Sequence, residues 1–353
     1  MRYDNRTPSV VSYIAGVALL WTAGSGSCAE PLTMSPGMAA RLRTVRAEIV
    51  SGRVHLVSAQ RPSSSTSTTR SNGRTERLSI DARDDRPAIQ YELRTPELRL
   101  EIKAAGAGEL EITHQVDYRS AEQQRRRVVE FRQQPNHPVE LSIVDRDQTE
   151  TVTEENEQTI TAAGLWHLQL AEPQVCGTYL NPLLEMLRAD WNLAETTAEI
   201  EQQLLAHAIL PADGRRREWQ ALIAQLASDR YSERRAADRQ LRAAGTAVVP
   251  FLQTLDRREL DAEQWFRVRR MIDSFSAGAE EDTPLSVARR LAGDPRVWHS
   301  LLSRDGRQYY KPATSHLSRL LGEPIQFDPD ADAEARQRQI DAIGRRITPR
   351  DSP

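Results

Sequence analysis

The stretch from Trp219 to Phe275 constrains this chain most: WQALIAQLASDRYSERRAADRQLRAAGTAVVPFLQTLDRRELDAEQWFRVRRMIDSF. It reads as four short amphipathic helices, with a breaking signal at most of the joins. Trp219, Leu222, Ile223 and Leu226 line the first. Ala237, Leu241 and Ala244 line the second, with Ser232 as the expected cap and Gly245 as the left-handed stop. Val249, Leu252 and Leu255 line a third, which Thr246 would cap, and Trp265, Val268, Met271 and Ile272 line the fourth. Helices this short cannot bury their apolar stripes alone, so they must stack on one another. Asp294-Pro295, His316–Leu321 and Ala333–Ile347 signal further helices, so a helical domain is expected over 215–347.

Upstream the period changes to two. Leu78, Ile80 and Ala82 alternate with Arg77, Ser79 and Asp81, and the pattern repeats at Ile89/Tyr91/Leu93, Leu98/Leu100/Ile102 and Leu110/Ile112/His114. Such alternation belongs to an antiparallel sheet with one wet face. The fold class is therefore α+β: an N-terminal antiparallel β domain over 49–155, then helices. Residues 30–48 read as a polar leader and a short helix, with Leu42–Val50 running helically into the first strand. Residues 61–75 (RPSSSTSTTRSNGRT) lack an apolar anchor and read as a mobile Ser/Thr loop. Residues 161–209 form a helical connecting region, in which Asn181, or a kink at Pro182, and Thr196 or Thr197 would mark helix starts. Residues 348–353 form a disordered tail.

Residues 1–29 have the layout of a secretory signal. Arg2 and Arg6 precede a 12-residue apolar run, Val10–Trp21, shorter than the ~20 residues of a membrane span, and Ser27-Cys28-Ala29 offers a cleavage site. The expectation is an exported protein, periplasmic or secreted, with no stable membrane span after cleavage. A lipid anchor at Cys28 is the alternative. Without Cys28, Cys176 stands alone and cannot form an internal disulfide; its apolar setting reads as a buried, inert thiol. The formal net charge of −3 gives no field for nucleic acid. Lysine occurs only at Lys103 and Lys311, so 45 of the 47 basic residues are arginine (47 − 2). A GC-rich genome explains that bias; selection for bidentate anion contacts is the rival explanation.

No catalytic, cofactor-binding or metal-ligating set emerges. The seven histidines never fall three or four apart. Asp328, Asp330 and Asp332 mimic the start of a calcium loop, but Ala333 stands where glycine is needed and Gln339 where the bidentate acid belongs. Ala104–Glu109 joins two strands and reads as a hairpin turn. Paired acids such as Glu154/Glu155 and Glu280/Glu281 sit in polar runs where nothing tunes a carboxylate for proton transfer. Two arginine triplets stand out, Arg125–Arg127 and Arg215–Arg217. Solvated faces with nearby acids account for both. Cations at a helix start are electrostatically adverse, which makes Arg215, Arg216 and Arg217 the candidate interaction residues. Trp166, Trp219, Trp265 and Trp298 sit at stripe positions and read as core anchors.

The segment Asp229–Ala237, then Leu241, Gly245, Val249-Pro250 and Leu252, resembles HEAT-like repeats, those of exported proteins in planctomycete-type bacteria above all. The resemblance covers about 216–275, and the tail Leu317–Ile347 is similar to the end of such proteins. It implies an interaction surface and no defined activity. A non-enzymatic scaffold that binds an envelope protein is the expectation. An initial helix followed by consecutive strands also resembles lipoprotein-carrier-like half-barrels, which implies the alternative of a carrier for a lipid or other apolar ligand. An envelope hydrolase is a third reading, resting on location alone.

Overall fold

The computed structural model describes residues 32–58, 64–81, 87–106, 108–119, 124–148, 153–207, 213–244, 248–276, 281–304 and 306–347. The signal region with Cys28, the Gly245–Thr246 stop and cap, and the tail lie outside them. The described residues from Thr33 onward belong to one compact unit.

The described residues open with α1 (Pro36–Leu42) and the hairpin β1 (Val45–Val50)–β2 (Arg53–Ser58). An eight-stranded antiparallel meander follows: β3 (Ser65–Ser71), β4 (Arg74–Asp81), β5 (Ala88–Arg94), β6 (Leu98–Ala105), β7 (Glu109–Arg119), β8 (Gln124–Gln133), β9 (Val139–Gln148) and β10 (Thr153–Ala162). Its strands pair in sequence order, as short turns require.

Three expectations are corrected here. The helix foreseen over Leu42–Val50 is instead α1, ending at Leu42, and a strand from Val45. The mobile loop over 61–75 holds β3 and the start of β4. Its turn is Asn72-Gly73, both at positive φ (47° and 77°), the two-residue hairpin that Asn-Gly favours. An edge strand needs no apolar anchor, and β-branched threonines suit it. The sheet also runs past 155: β10 continues to Ala162, and the first following helix begins at Leu165.

One sheet face is the core. Tyr91, Leu100, Ile102, Ile112, Phe131 and Leu141 are fully buried there. Each such side chain contributes about 1.5–3 kcal/mol through burial. The hairpin crosses this inner face. Gln133, at 1% exposure, donates from Nε2 to Val54 O (2.8 Å) and Gly108 O (2.7 Å) and accepts from Val54 N (2.9 Å). Near the β3 edge the buried Glu76 accepts from Ser35 N (3.1 Å), Ser35 Oγ (2.8 Å) and Arg74 Nε (2.7 Å), which fixes the start of α1.

The helices are α2 (Leu165–Ala171), α3 (Pro173–Val175), α4 (Asn181–Glu185), α5 (Leu193–His207), α6 (Asp213–Leu226), α7 (Tyr231–Ala243), α8 (Val249–Gln253), α9 (Ala262–Ser276), α10 (Pro284–Leu291), α11 (Pro295–Leu302), α12 (Arg307–Leu321) and α13 (Ala333–Ile347). A π-turn, Cys176–Leu180, joins α3 to α4. Pro182 sits in the first turn of α4, but Asn181 is not its cap: it is buried and accepts from Gln169 Nε2 at 2.5 Å. Thr197 lies inside α5, where its hydroxyl donates to Leu193 O (2.7 Å). Ser232 lies inside α7, whose N-terminus is organised by Ser228 Oγ, accepting from Arg230 N (3.1 Å) and bonded to Glu233 (2.5 Å). Asp294 does cap α11, through Arg296 N (2.8 Å).

Asp282 joins the helices to the hairpin. Its carboxylate accepts from Ser51 N (3.1 Å), Gly52 N (2.6 Å), Trp166 Nε1 (2.8 Å) and both terminal nitrogens of Arg290 (2.7 and 2.8 Å). Ser51 and Gly52 form a turn at positive φ (54° and 74°), so their adjacent N–H groups can converge on one carboxylate.

Candidate functional site

The segment that opened the sequence reading folds as α6 to α9 around a core of its own. Trp219, Leu222, Ile223 and Leu226 meet Ala237 and Leu241, then Phe251 and Leu252, then Val268 and Met271. Trp219 and Phe251 rings lie 5.7 Å apart. Asp261 and Gln264 cap α9 reciprocally: Gln264 N donates to Asp261 Oδ1 (2.7 Å) and Asp261 N to Gln264 Oε1 (2.9 Å). Gln264 Nε2 then donates to Ile223 O (2.8 Å), tying α9 to α6. This puts Gln264 at the buried position, and Trp265, expected in the core, is only half-buried.

The opposite faces of α7 and α9 are exposed. On α7, Tyr231 (62% exposed), Arg235 and Arg239 follow at intervals of four. On α9, Phe266 (59% exposed) precedes Arg269 and Arg270 by three and four. Each set therefore shares a helix face. Arg242 Nη1 donates to Ser274 Oγ (2.9 Å), which joins the two helices near their C-termini. Other arginines on these helices are engaged: Arg230 with Glu233 (3.2 Å), Arg242 with Asp238 (3.0 Å) and Arg267 with Glu263. Arg235, Arg239, Arg269 and Arg270 form no ion pair among the described residues. An exposed aromatic beside unpaired arginines has the composition of a protein-binding hot spot.

Of the triplet singled out in the sequence, only the Arg217 side chain is described; it is exposed on α6. Arg215 and Arg216 lie in α6, with side chains outside the described residues. The other triplet is split by the pleat of β8. Arg126 pairs with Asp117 (2.6 Å), while Arg127 grips Asp145 with two bonds (2.7 and 3.1 Å) under the ring of Tyr179.

Beside α9 an open cleft of about 1080 Å³ runs over the outer face of the sheet. Its floor is one cross-strand row, Ser79, Gln90, Lys103, Glu111 and Arg132, and Arg269 of α9 faces it.

The remaining polar clusters are internal and spent on the fold. Glu201 accepts from Tyr309 Oη (2.5 Å) and pairs with Arg304, whose other branch reaches Leu170 O (2.7 Å). His167 bonds the capping Asp294 (3.2 Å). Burial pushes the Asp294 carboxyl up, but the His167 and Arg296 contacts outweigh it and hold the group below the usual range. No hydroxyl or thiol is bonded to His167 among the described residues, so this pair lacks the nucleophile of a triad. Cys176 is buried, and burial pushes its thiol up to about 12, which leaves it protonated and unreactive. Asp328 accepts from Asp330 N in the turn before α13, Asp332 accepts from Ala335 N in its first turn, and Asp330 pairs with Arg307. No group of three or more potential metal ligands gathers among the described residues, and no helix there is long and apolar enough to cross a membrane. No protein-family model, curated protein or solved structure matches the chain.

Proposed function

We propose that this chain is an exported, non-enzymatic interaction protein, and that the α7–α9 ridge binds an acidic surface on an envelope protein. The observation that carries the reading is the pairing pattern. A chain that engages Arg127, Arg188, Arg290 and Arg304 with carboxylates leaves Arg235 and Arg239 on the α7 face of Tyr231, and Arg269 and Arg270 on the α9 face of Phe266, without one among the described residues. The HEAT-like resemblance of the same segment and the signal-like first 29 residues support it. The carrier reading needs an apolar cavity on the inner sheet face, and it is less favoured because the β1–β2 hairpin lies across that face, with Val54 bonded to Gln133.

The test is in-cell crosslinking of the tagged full-length chain, with mass spectrometry of the envelope fraction. One dominant protein partner is expected, lost when Arg235, Arg239 and Arg270 become Ser and Phe266 becomes Ser. The triple change of Arg215–Arg217 to Ser serves as the competing patch. Identical captures from wild type and a folded ridge variant overturn the reading.

A further inference from the structure

We infer that the cleft between α9 and the outer sheet face binds an extended peptide segment of mixed charge, presenting a carboxylate to Arg269 and a cationic side chain to Glu109. This rests on the ridge reading, because Arg269 belongs to both surfaces.

Three observations carry it. The first is size and shape: about 1080 Å³, open along one side, is slightly larger than most small-molecule sites and suits a chain laid across strands. The second is charge. Lys103 pairs with Glu101 (2.9 Å), and Arg132 is held by Glu130 (2.9 Å) and Glu111 (3.7 Å), so these cations are already compensated. Arg269 and Glu109 both line the cleft, and neither forms an ion pair among the described residues. Two uncompensated charges of opposite sign, not paired with each other, fit a ligand that carries both complements. The third is the remaining lining. Gln90 and Gln134 offer amide donors and acceptors suited to a peptide backbone. Apolar lining comes from small or aliphatic residues such as Ala88, Ala105 and Pro135, and the one aromatic ring in the lining is the imidazole of His137. A stacking platform for sugars is therefore lacking, and so is the greasy floor an acyl chain needs.

The experiment places a photo-crosslinking benzoylphenylalanine at Gln90 in the cleft or at Phe266 on the ridge, each in the full-length chain in cells. The adduct is identified by peptide sequencing. The expected result is one partner labelled from both positions, the Gln90 adduct lying in a segment with an acidic and a basic residue within about six positions. Glu109→Ser should lower the Gln90 yield by about fivefold or more, as loss of a rim charge pair does, and leave the Phe266 yield unchanged, whereas Arg269→Ser, which touches both surfaces, should lower both yields. Labelling from Phe266 but not from Gln90 overturns the cleft inference and leaves the ridge reading standing. So does a glycan or lipid adduct at Gln90, or a yield indifferent to both substitutions. No labelling from either position overturns the ridge reading, and the cleft inference with it.

Discussion

Replacing Asp282 by Ala removes one carboxylate and strands five donors. Ser51 N–H, Gly52 N–H, Trp166 Nε1–H and two guanidinium nitrogens of Arg290 lose their acceptor. The Asp282 and Arg290 side chains are 3% and 13% exposed, so water cannot fully take over. Leaving a buried charge without its partner costs about 3–5 kcal/mol, and that figure already contains most of the hydrogen-bond loss. With a urea m-value of about 3 kcal/mol per molar, the midpoint should fall by roughly 1–1.7 M. Trp166 reports the change directly, since its indole N–H is one of the orphaned donors. Arg290→Leu should cost less, because Asp282 then keeps its two backbone donors and Trp166. The double variant Asp282→Ala/Arg290→Leu should be better than the sum of the two by at least about 1 kcal/mol, since it contains no stranded guanidinium. A loss below about 1 kcal/mol for Asp282→Ala, or strict additivity in the cycle, would refute the claim that this carboxylate locks the hairpin to the helices.

Gln133→Leu should cost about 2–4 kcal/mol in urea unfolding, because Val54 N–H, Val54 C=O and Gly108 C=O are left buried without partners. Gly344→Ala should destabilise despite alanine's better helix propensity: a Cβ there would sit 2.9 Å from His299 Nε2, which is held by Ile340 O (3.0 Å), and faster proteolysis of α13 would show it. His316 stacks on Trp298 at 4.0 Å and accepts from Arg319 at Nδ1 (3.0 Å); burial, then the Arg319 charge, push its imidazole down to about 4. Its folded value thus lies below the unfolded one of about 6.5, so its contribution is complete above pH ~6.5 and is lost as pH falls towards 4. Between those limits wild type should lose on the order of 1 kcal/mol more than His316→Phe, after allowance for partial exposure, and equal losses would contradict the assignment.

What could be read from the sequence was whatever repeats with a fixed period. The rows Leu78–Tyr91–Ile102–Ile112 and the stripe Leu222–Leu226 with Leu241 state their faces in one dimension, and the structure buries them all. Ala333–Ile347 is a helix with the expected bounds. The misreadings share a cause: local chemistry that competes with period. Ser65–Ser71 shows alternation only in exposure, and its one strong signal, Asn72-Gly73, is a turn that makes strands of its flanks. The sheet expected to end at 155 continues to Ala162, because the acidic stretch there lies in an edge strand, where charge is compatible with strand formation. Trp265 and Gln264 exchanged roles because Asp261-x-x-Gln264 is a capping box, and that places Gln264 inward.

The ridge and the cleft were legible only in part, for a different reason. Forty-five arginines look alike in a sequence; their pairing state is decided by strands and helices far apart in the chain. Arg290 reaches Asp282 across eight positions, but Arg304 reaches Glu201 across 103 and Arg188 reaches Glu281 across 93. A triplet such as Arg125–Arg127 stands out as a run and is then divided by the pleat, with Arg126 and Arg127 spent on different acids. Arg235 and Arg239 stand four apart, and it is Arg242, not Arg239, that the helix pairs with the neighbouring Asp238, which no run in the sequence states. The composition bias also gains a physical meaning. Arg290 and Arg127 each use two nitrogens on one carboxylate, a bidentate grip that a lysine ammonium cannot reproduce. A GC-rich genome can supply arginine, but only geometry decides where its fork is used. Arg235, Arg239, Arg269 and Arg270 are among those whose forks form no ion pair among the described residues.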